Sequence, residues 1–271
     1  MLGRDKKCIG IVFGGNSNEH YVSISSAKTV FKAFNSETNK SRFTVKVFYI
    51  NKNGCWLNDE KSMDILLDPS PKDNSKKNEK KEKLNFLEKI DFQSVDIWFP
   101  LLHGVNGEDG AIHGLLKFTQ KPLVGCGILG SAIGMDKILM KKLFSYLKIP
   151  QVNYLAIQNQ DYNDAVIQKR LLEDIIEKLN FPIFVKPSNS GSSIGISKVA
   201  EKSGVIPALK KASEIDSRIV VEEGLKVREL ECAIMGTSEL SISEIGEVTY
   251  STDWYDYESK YSITNKINIP A

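Results

Sequence analysis

The sequence lacks an excess of charge, closely spaced cysteines and a long apolar run. Its 36 Lys and Arg nearly balance its 34 Asp and Glu, so the net charge of +2 offers no broad basic surface for nucleic acid. The cysteines are scattered singly, which favours reduced thiols over disulfides or structural zinc: Cys8, Cys55, Cys126 and Cys232. No apolar run approaches a membrane span, and the first one, residues 9–13, ends too early for a signal-peptide core. We therefore expect a cytoplasmic protein without nucleic acid or membrane partners.

The composition is that of a folded protein, with 41% apolar and 26% charged residues in a chain of 271. Residues 8–13 and 43–50 predict strands separated by a helix, and residues 95–102 predict a strand that is apolar on both faces. Strands that alternate with helices predict a doubly wound parallel sheet in this part of the chain. Residues 68–83 contain almost no apolar side chains and predict a solvated surface insertion.

The pattern changes after residue 124 to helices mixed with hairpin-like strands. A predicted helix over residues 136–148 has leucines at 139, 143 and 147, which indicate an apolar stripe, and residues 161–179 predict a second amphipathic helix. Further strands are predicted at residues 182–186, 194–199, 218–222, 229–235 and 240–248. The later part of the chain is therefore predicted to be α+β.

A loop rich in serine and glycine follows Lys186 and joins two of these predicted strands. Its backbone N–H and hydroxyl groups can donate to a triphosphate, while Lys186 supplies a positive charge. The loop is not a Walker motif, because it lacks the GK[ST] pattern and a strand follows it. An exposed hairpin with a solvated lysine explains the same pattern.

Carboxylates and a histidine follow other predicted strands. Glu222 and Glu229 stand at the end of one strand and the start of the next, where they can accept hydrogen bonds from an adenine amino group or a ribose hydroxyl, or simply be solvated. Glu19 can receive an ammonium group or only complement the dipole of the first helix. His103 follows the strand at residues 95–102, at the sheet edge where open α/β folds bind ligands, although it can equally be a hydrogen-bonded loop residue.

Taken in order, several segments resemble the D-alanine–D-alanine ligase family of the ATP-grasp superfamily: residues 13–27, 102–114, 125–137, 181–199, 220–236 and 255–261. The resemblance implies a Rossmann-like substrate domain at residues 1–124, a central ATP-grasp subdomain at 125–217 and an incomplete C-terminal ATP-grasp subdomain at 218–271. It also implies that ATP activates one D-alanine as an acyl phosphate, which the amine of a second attacks, for peptidoglycan precursor synthesis. A homodimer through the first domain is a further implication.

The resemblance implies a nucleotide site made of Lys137, Lys186, Ser193, Glu222, Leu225 and Glu229. The two lysines would pair with the phosphates of ATP, and the serine with its neighbouring amides would close over them. The first glutamate would bind the adenine amino group and the second the ribose.

The resemblance also implies a substrate site. Glu19 would hold the ammonium group of the first D-alanine and be linked through Ser192 to Tyr261 in the lid at residues 253–261. His103 would lie beside the carboxylate being activated. A tyrosine at 261 implies D-alanine rather than D-lactate as the second substrate.

The family continues beyond the position of Ala271, and its ligands for Mg²⁺ or Mn²⁺ lie in that later part, so no metal ligand is predicted here. We expect this sequence to be part of a longer ligase, rather than a truncated gene product, and to be inactive alone. Two other interpretations are a different ATP-grasp carboxylate–amine ligase and a non-catalytic nucleotide-binding fragment.

Overall fold

The structure, a computed structural model, describes residues 6–68, 90–158, 162–250, 254 and 266–271. The predicted insertion, apart from Asp68, and the predicted lid with Tyr261, apart from Trp254, lie outside the described residues. The chain divides into two compact units, Met1–Met140 and Lys141–Ala271. The predicted domain boundaries at residues 124 and 217 stay predictions.

The N-terminal unit is built on three parallel strands in the order β2-β1-β3. Their bounds are β1 (Lys7–Gly14), β2 (Phe43–Ile50) and β3 (Ile97–Pro100). In β1, Ile11 and Phe13 pack on one face and Val12 packs on the other, because successive side chains of a strand point to opposite sides. Both faces are therefore buried, and the predicted doubly wound α/β fold is confirmed.

Helices cover both faces of this sheet. Ile24 and Ala27 of the first helix pack against β1 on one side, while Ile112 and Leu116 of the third pack with Trp98 on the other. The helices are α1 (His20–Phe34), α2 (Asp59–Leu67), α3 (Ala111–Lys117) and α4 (Ile128–Met135), with a 3-10 turn at Phe92–Ser94. This arrangement leaves the carboxyl edge of the sheet to the loops.

Helix α5 (Lys137–Tyr146) follows, and its orientation differs from the prediction. Asp136 caps the helix, since its carboxylate accepts a hydrogen bond from the Leu139 N–H at 3.0 Å. The predicted leucine stripe is exposed, whereas Ile138 and Lys141 are buried. A buried lysine requires a partner, and that partner belongs to the candidate site.

The C-terminal unit contains an antiparallel sheet in the order β4-β7-β5-β6. Its strands are β4 (Tyr154–Gln158), β5 (Ile183–Pro187), β6 (Ser197–Val199) and β7 (Arg218–Glu223). Side chains such as Val185 and Val221 on one face form a core with Ile175 and Leu209 of the helices α6 (Ala165–Lys178) and α7 (Val205–Ser213). A 3-10 turn, Lys202–Gly204, precedes α7.

The remaining strands form two small antiparallel sheets, β12-β11-β8 and β10-β9. They are β8 (Glu229–Glu231), β9 (Ile234–Gly236), β10 (Leu240–Ile242), β11 (Gly246–Thr249) and β12 (Lys266–Asn268). The single strands predicted at 229–235 and 240–248 are each divided in two, because the chain changes pairing partner within each segment. No helix in the described part of the chain has the length and apolar character needed to cross a bilayer.

Candidate functional site

Glu19 and His103 lie on neighbouring loops at the carboxyl edge of the N-terminal sheet. Glu19 immediately precedes α1 and is 6% exposed, and His103 follows β3. Gly14, the last residue of β1, and Gly15, which follows it, have φ of +92° and +90°, in the left-handed region that glycine tolerates. His103 thus lies at the sheet edge where it was expected, and Glu19 lies at the start of α1, as expected, at the same edge.

Both ring nitrogens of His103 have a partner. Its Nε2 lies 3.0 Å from the Ser26 hydroxyl, and its Nδ1 lies 3.8 Å from a carboxylate oxygen of Glu108. The interaction with Glu108 raises the pKa of His103 above its ordinary value, against the effect of burial, and the charge of Glu19 adds to the rise. The two acids therefore favour the protonated form of the imidazole.

Hydrogen bonds between two serine hydroxyls and backbone groups hold these two loops together. The Ser17 hydroxyl donates to the carbonyl of His103 at 2.7 Å and accepts from the Glu19 N–H at 3.2 Å. The buried Ser23 hydroxyl donates to the carbonyl of Leu101 at 2.6 Å and accepts from the Gly14 N–H at 2.8 Å. These hydrogen bonds join the ends of β1 and β3 and set the separation of the two candidate side chains.

Glu222 is the centre of a second cluster, in the C-terminal unit. It pairs across the sheet with Tyr154 of β4 and Phe184 of β5, so these three side chains share one face. Lys186, two residues after Phe184, belongs to the same face. The ammonium group of Lys186 contacts one oxygen of the Glu222 carboxylate, and that of Lys141 lies 2.7 Å from the other.

The surroundings of this carboxylate favour its ionised form. Burial acts to raise the pKa of Glu222, but the charge of Lys186 and the hydrogen bonds and charge of the two lysines outweigh it, so the pKa lies below the ordinary value. The ammonium groups also lie over aromatic rings, Lys141 at 5.0 Å from the Tyr154 centroid and Lys186 at 5.3 Å from that of Phe184. Two cations against one anion leave a local positive charge that suits an anionic ligand.

The loop between β5 and β6 carries Ser192 and Ser193, whose φ values of 47° and 59° are left-handed. Such conformations are costly for residues other than glycine and occur often at ligand clamps. Asp216 fixes the base of the loop by accepting a hydrogen bond from the Asn189 N–H at 2.8 Å. The Ser190 hydroxyl spans the loop by donating to the carbonyl of Ile194 at 3.0 Å.

Three other predicted site residues, Lys137, Leu225 and Glu229, lie at or near the ends of helices and strands. Lys137 is the first residue of α5. Leu225, after β7, is 61% exposed. Glu229 begins β8 and accepts a hydrogen bond from the Tyr250 hydroxyl at 3.4 Å. Within the described ranges, no group of three or more His, Cys, Asp and Glu side chains is arranged to hold a metal ion.

Sequence reasoning missed three residues that the structure brings into these clusters: Lys141, Ser26 and Glu108. Lys141 stands four residues after Lys137, and residues at that spacing share a helix face. This spacing could have indicated Lys141, but the leucines at 139, 143 and 147 suggested a different buried face. Ser26 and Glu108 lie inside the segments that carried the resemblance but have no feature of their own that singles them out.

Two family models match the chain. A model described as the D-ala D-ala ligase N-terminus matches residues 8–126, and one described as the D-ala D-ala ligase C-terminus matches residues 143–271. The chain is 66% identical over 273 residues to a D-alanine–D-alanine ligase of Prochlorococcus marinus strain AS9601, covering 100% of the chain and 77% of that protein. It is 45% identical over 258 residues to one of strain NATL2A, covering 95% of the chain and 73% of that protein.

Solved structures are similar as well. The VanG D-Ala:D-Ser ligase from Enterococcus faecalis matches with a TM-score of 0.77 and 33% identity, over 98% of this chain and 77% of its own. The D-alanine–D-alanine ligase from Coxiella burnetii matches with a TM-score of 0.71 and 31% identity, over 89% of this chain and 71% of its own.

Proposed function

The chain belongs to the D-alanine–D-alanine ligase family, and we propose that the two clusters serve the family's ATP-dependent joining of two D-alanines for peptidoglycan synthesis. In this reaction the carboxylate of one D-alanine takes the terminal phosphoryl group of ATP, and ADP leaves. The amine of the second D-alanine then attacks the acyl carbon, phosphate leaves, and the new amide nitrogen loses a proton. The observation that carries the assignment of residues is the buried Glu222 held between two lysines.

We assign the nucleotide to the Glu222 cluster. An ionised carboxylate accepts a hydrogen bond from the adenine amino group, and Lys186 can turn from Glu222 to a phosphate. The left-handed backbone at Ser193 supports a loop whose amides face an anion. The remaining members of the predicted nucleotide site are proposed on their position in the family motifs: Lys137, Leu225 and Glu229.

We assign the first D-alanine to the N-terminal cluster. The buried carboxylate of Glu19 suits an ammonium group, and the protonated form of His103, which Glu108 favours, suits the carboxylate that becomes phosphorylated. The link from Glu19 through Ser192 to Tyr261 remains part of the proposal. Its physical purpose is to exclude water, because water hydrolyses an acyl phosphate.

A divalent metal, Mg²⁺ or Mn²⁺, neutralises charge on the transferring phosphoryl group in such reactions. The described residues provide no three-ligand cluster that fits it, so no step is assigned to a metal here. We also propose a cytoplasmic location, supported by the scattered cysteines, a homodimer through the first domain and the domain boundaries at residues 124 and 217.

Replacing Glu222 with Gln tests the nucleotide assignment. We expect Glu222→Gln to weaken ATP binding about tenfold or more by isothermal titration calorimetry, because a hydrogen bond to a charged group is lost. The matched control is Glu223→Gln, since Glu223 is the adjacent glutamate and instead accepts from the Asn180 side chain at 2.8 Å. Equal ATP affinity in the Glu222→Gln variant and the wild type would refute the assignment.

A further inference from the structure

We propose that Lys141 is a positioning residue for adenine recognition, which holds the Glu222 carboxylate in place while Lys186 turns to the phosphates. The inference rests on the proposed nucleotide site and deepens it by naming what makes that site prefer a 6-amino purine. Neither the motifs nor the predicted site residues include Lys141.

Each of the two lysines contacts a different oxygen of the Glu222 carboxylate. Lys141 contacts one oxygen at 2.7 Å, and Lys186 contacts the other. The Lys141 side chain is 10% exposed, whereas that of Lys186 is 23% exposed and adjoins the serine and glycine loop. Lys186 is therefore the lysine with access to a ligand, and Lys141 is the one enclosed by protein.

The backbone and side chain of Lys141 are both held. Its carbonyl accepts hydrogen bonds from the Gln151 amide at 2.8 Å and from the Ser145 hydroxyl at 3.1 Å. Its ammonium group lies over the Tyr154 ring, directly across the sheet from Glu222. The two hydrogen bonds hold the backbone at Lys141, and the ring contact holds its ammonium group beside Glu222.

A fixed cation matters because a buried carboxylate without a counter-charge is strongly destabilised. When Lys186 turns to a phosphate, one oxygen of Glu222 is released, and Lys141 still balances the charge through the other. The released oxygen accepts a hydrogen bond from the 6-amino group of adenine and repels the 6-oxo group of hypoxanthine. Lys141 thus contributes to the preference for ATP over inosine triphosphate.

The test compares ATP with inosine triphosphate, which carries the same phosphates without the amino group. Calorimetric titration of the wild type, Lys141→Met, Lys141→Gln and Lys141→Arg yields the ratio of the two affinities. We expect this ratio to fall about tenfold in the Met and Gln variants and to be restored in large part by Arg, because Arg keeps the charge. The matched control is Lys142→Met, which changes the adjacent exposed lysine and is expected to keep the wild-type ratio.

If Lys141 only stabilised the fold, its replacement would weaken the binding of both nucleotides equally. An unchanged ratio of the two affinities in Lys141→Met therefore overturns the inference and leaves the proposed function intact. Circular dichroism establishes which variants fold, and if Lys141→Met does not, equal ratios in Lys141→Gln and Lys141→Arg overturn the inference in the same way. A wild-type chain that fails to bind ATP, or binds both nucleotides equally, would instead overturn the assignment of Glu222 and the inference with it.

Discussion

Replacing Ser23 with Ala is expected to destabilise the N-terminal unit and loosen the loops that carry Glu19 and His103. The Ser23 hydroxyl is buried and makes two hydrogen bonds, with the Gly14 N–H and the Leu101 carbonyl. An unsatisfied buried polar group costs about 1–3 kcal/mol, so leaving both backbone partners unsatisfied should cost roughly 2–6 kcal/mol. With a urea m-value of about 2 kcal/mol/M, the midpoint should fall by roughly 1–3 M.

Urea unfolding followed by tryptophan fluorescence measures this change, since Trp98 is fully buried in the same unit. Ser25→Ala is the matched control, because Ser25 is an exposed serine on the same helix. Thermal-shift titration with D-alanine should also show weaker binding in Ser23→Ala, as the two hydrogen bonds set the separation of Glu19 and His103. A midpoint equal to that of Ser25→Ala would refute the reasoning.

The remaining predictions concern the His103 loop. By NMR titration, we expect the pKa of His103 to lie above 6.5 and to fall in Glu108→Gln. Since the folded-state pKa is raised, the stability contributed by His103 is present below pH 6.5 and is lost as the pH rises through the folded-state value. An unchanged pKa in Glu108→Gln would contradict this. We expect Gly104→Ala to destabilise the fold by at least about 1 kcal/mol in urea unfolding, because its φ is +69° and a Cβ would collide with the Glu19 carboxylate. An unaltered midpoint would disprove that collision.

The sequence predicts the N-terminal sheet well because its signals are local. Strand β2 has the predicted bounds, and β1 differs by one residue at each end, since continuous apolar runs bounded by glycine or polar residues define them. The position of His103 follows from the same pattern, because parallel strands end at one sheet edge. The bonds that fix it do not follow, since they depend on loop conformations such as those at Ser17 and Ser23.

In the C-terminal unit, two predictions made from local sequence patterns differ from the structure. Leucine spacing on α5 predicted the wrong buried face, because the burial of Lys141 depends on Glu222, 81 residues away along the chain. The strands after residue 229 were predicted as two long ones, because a change of pairing partner leaves no mark in composition. In both cases the deciding contact joins distant segments.

The ion pair of Lys186 and Glu222 means that the chain itself supplies a counter-ion for this lysine. A nucleotide phosphate that reaches Lys186 therefore replaces an internal anion and does not have to strip the hydration shell from a free ammonium group. Such an exchange depends less on bulk ionic strength than binding to a solvated surface lysine, because mobile ions screen buried pairs weakly. If Lys186 binds a nucleotide phosphate as proposed, the affinity for nucleotide is therefore expected to depend only weakly on salt concentration.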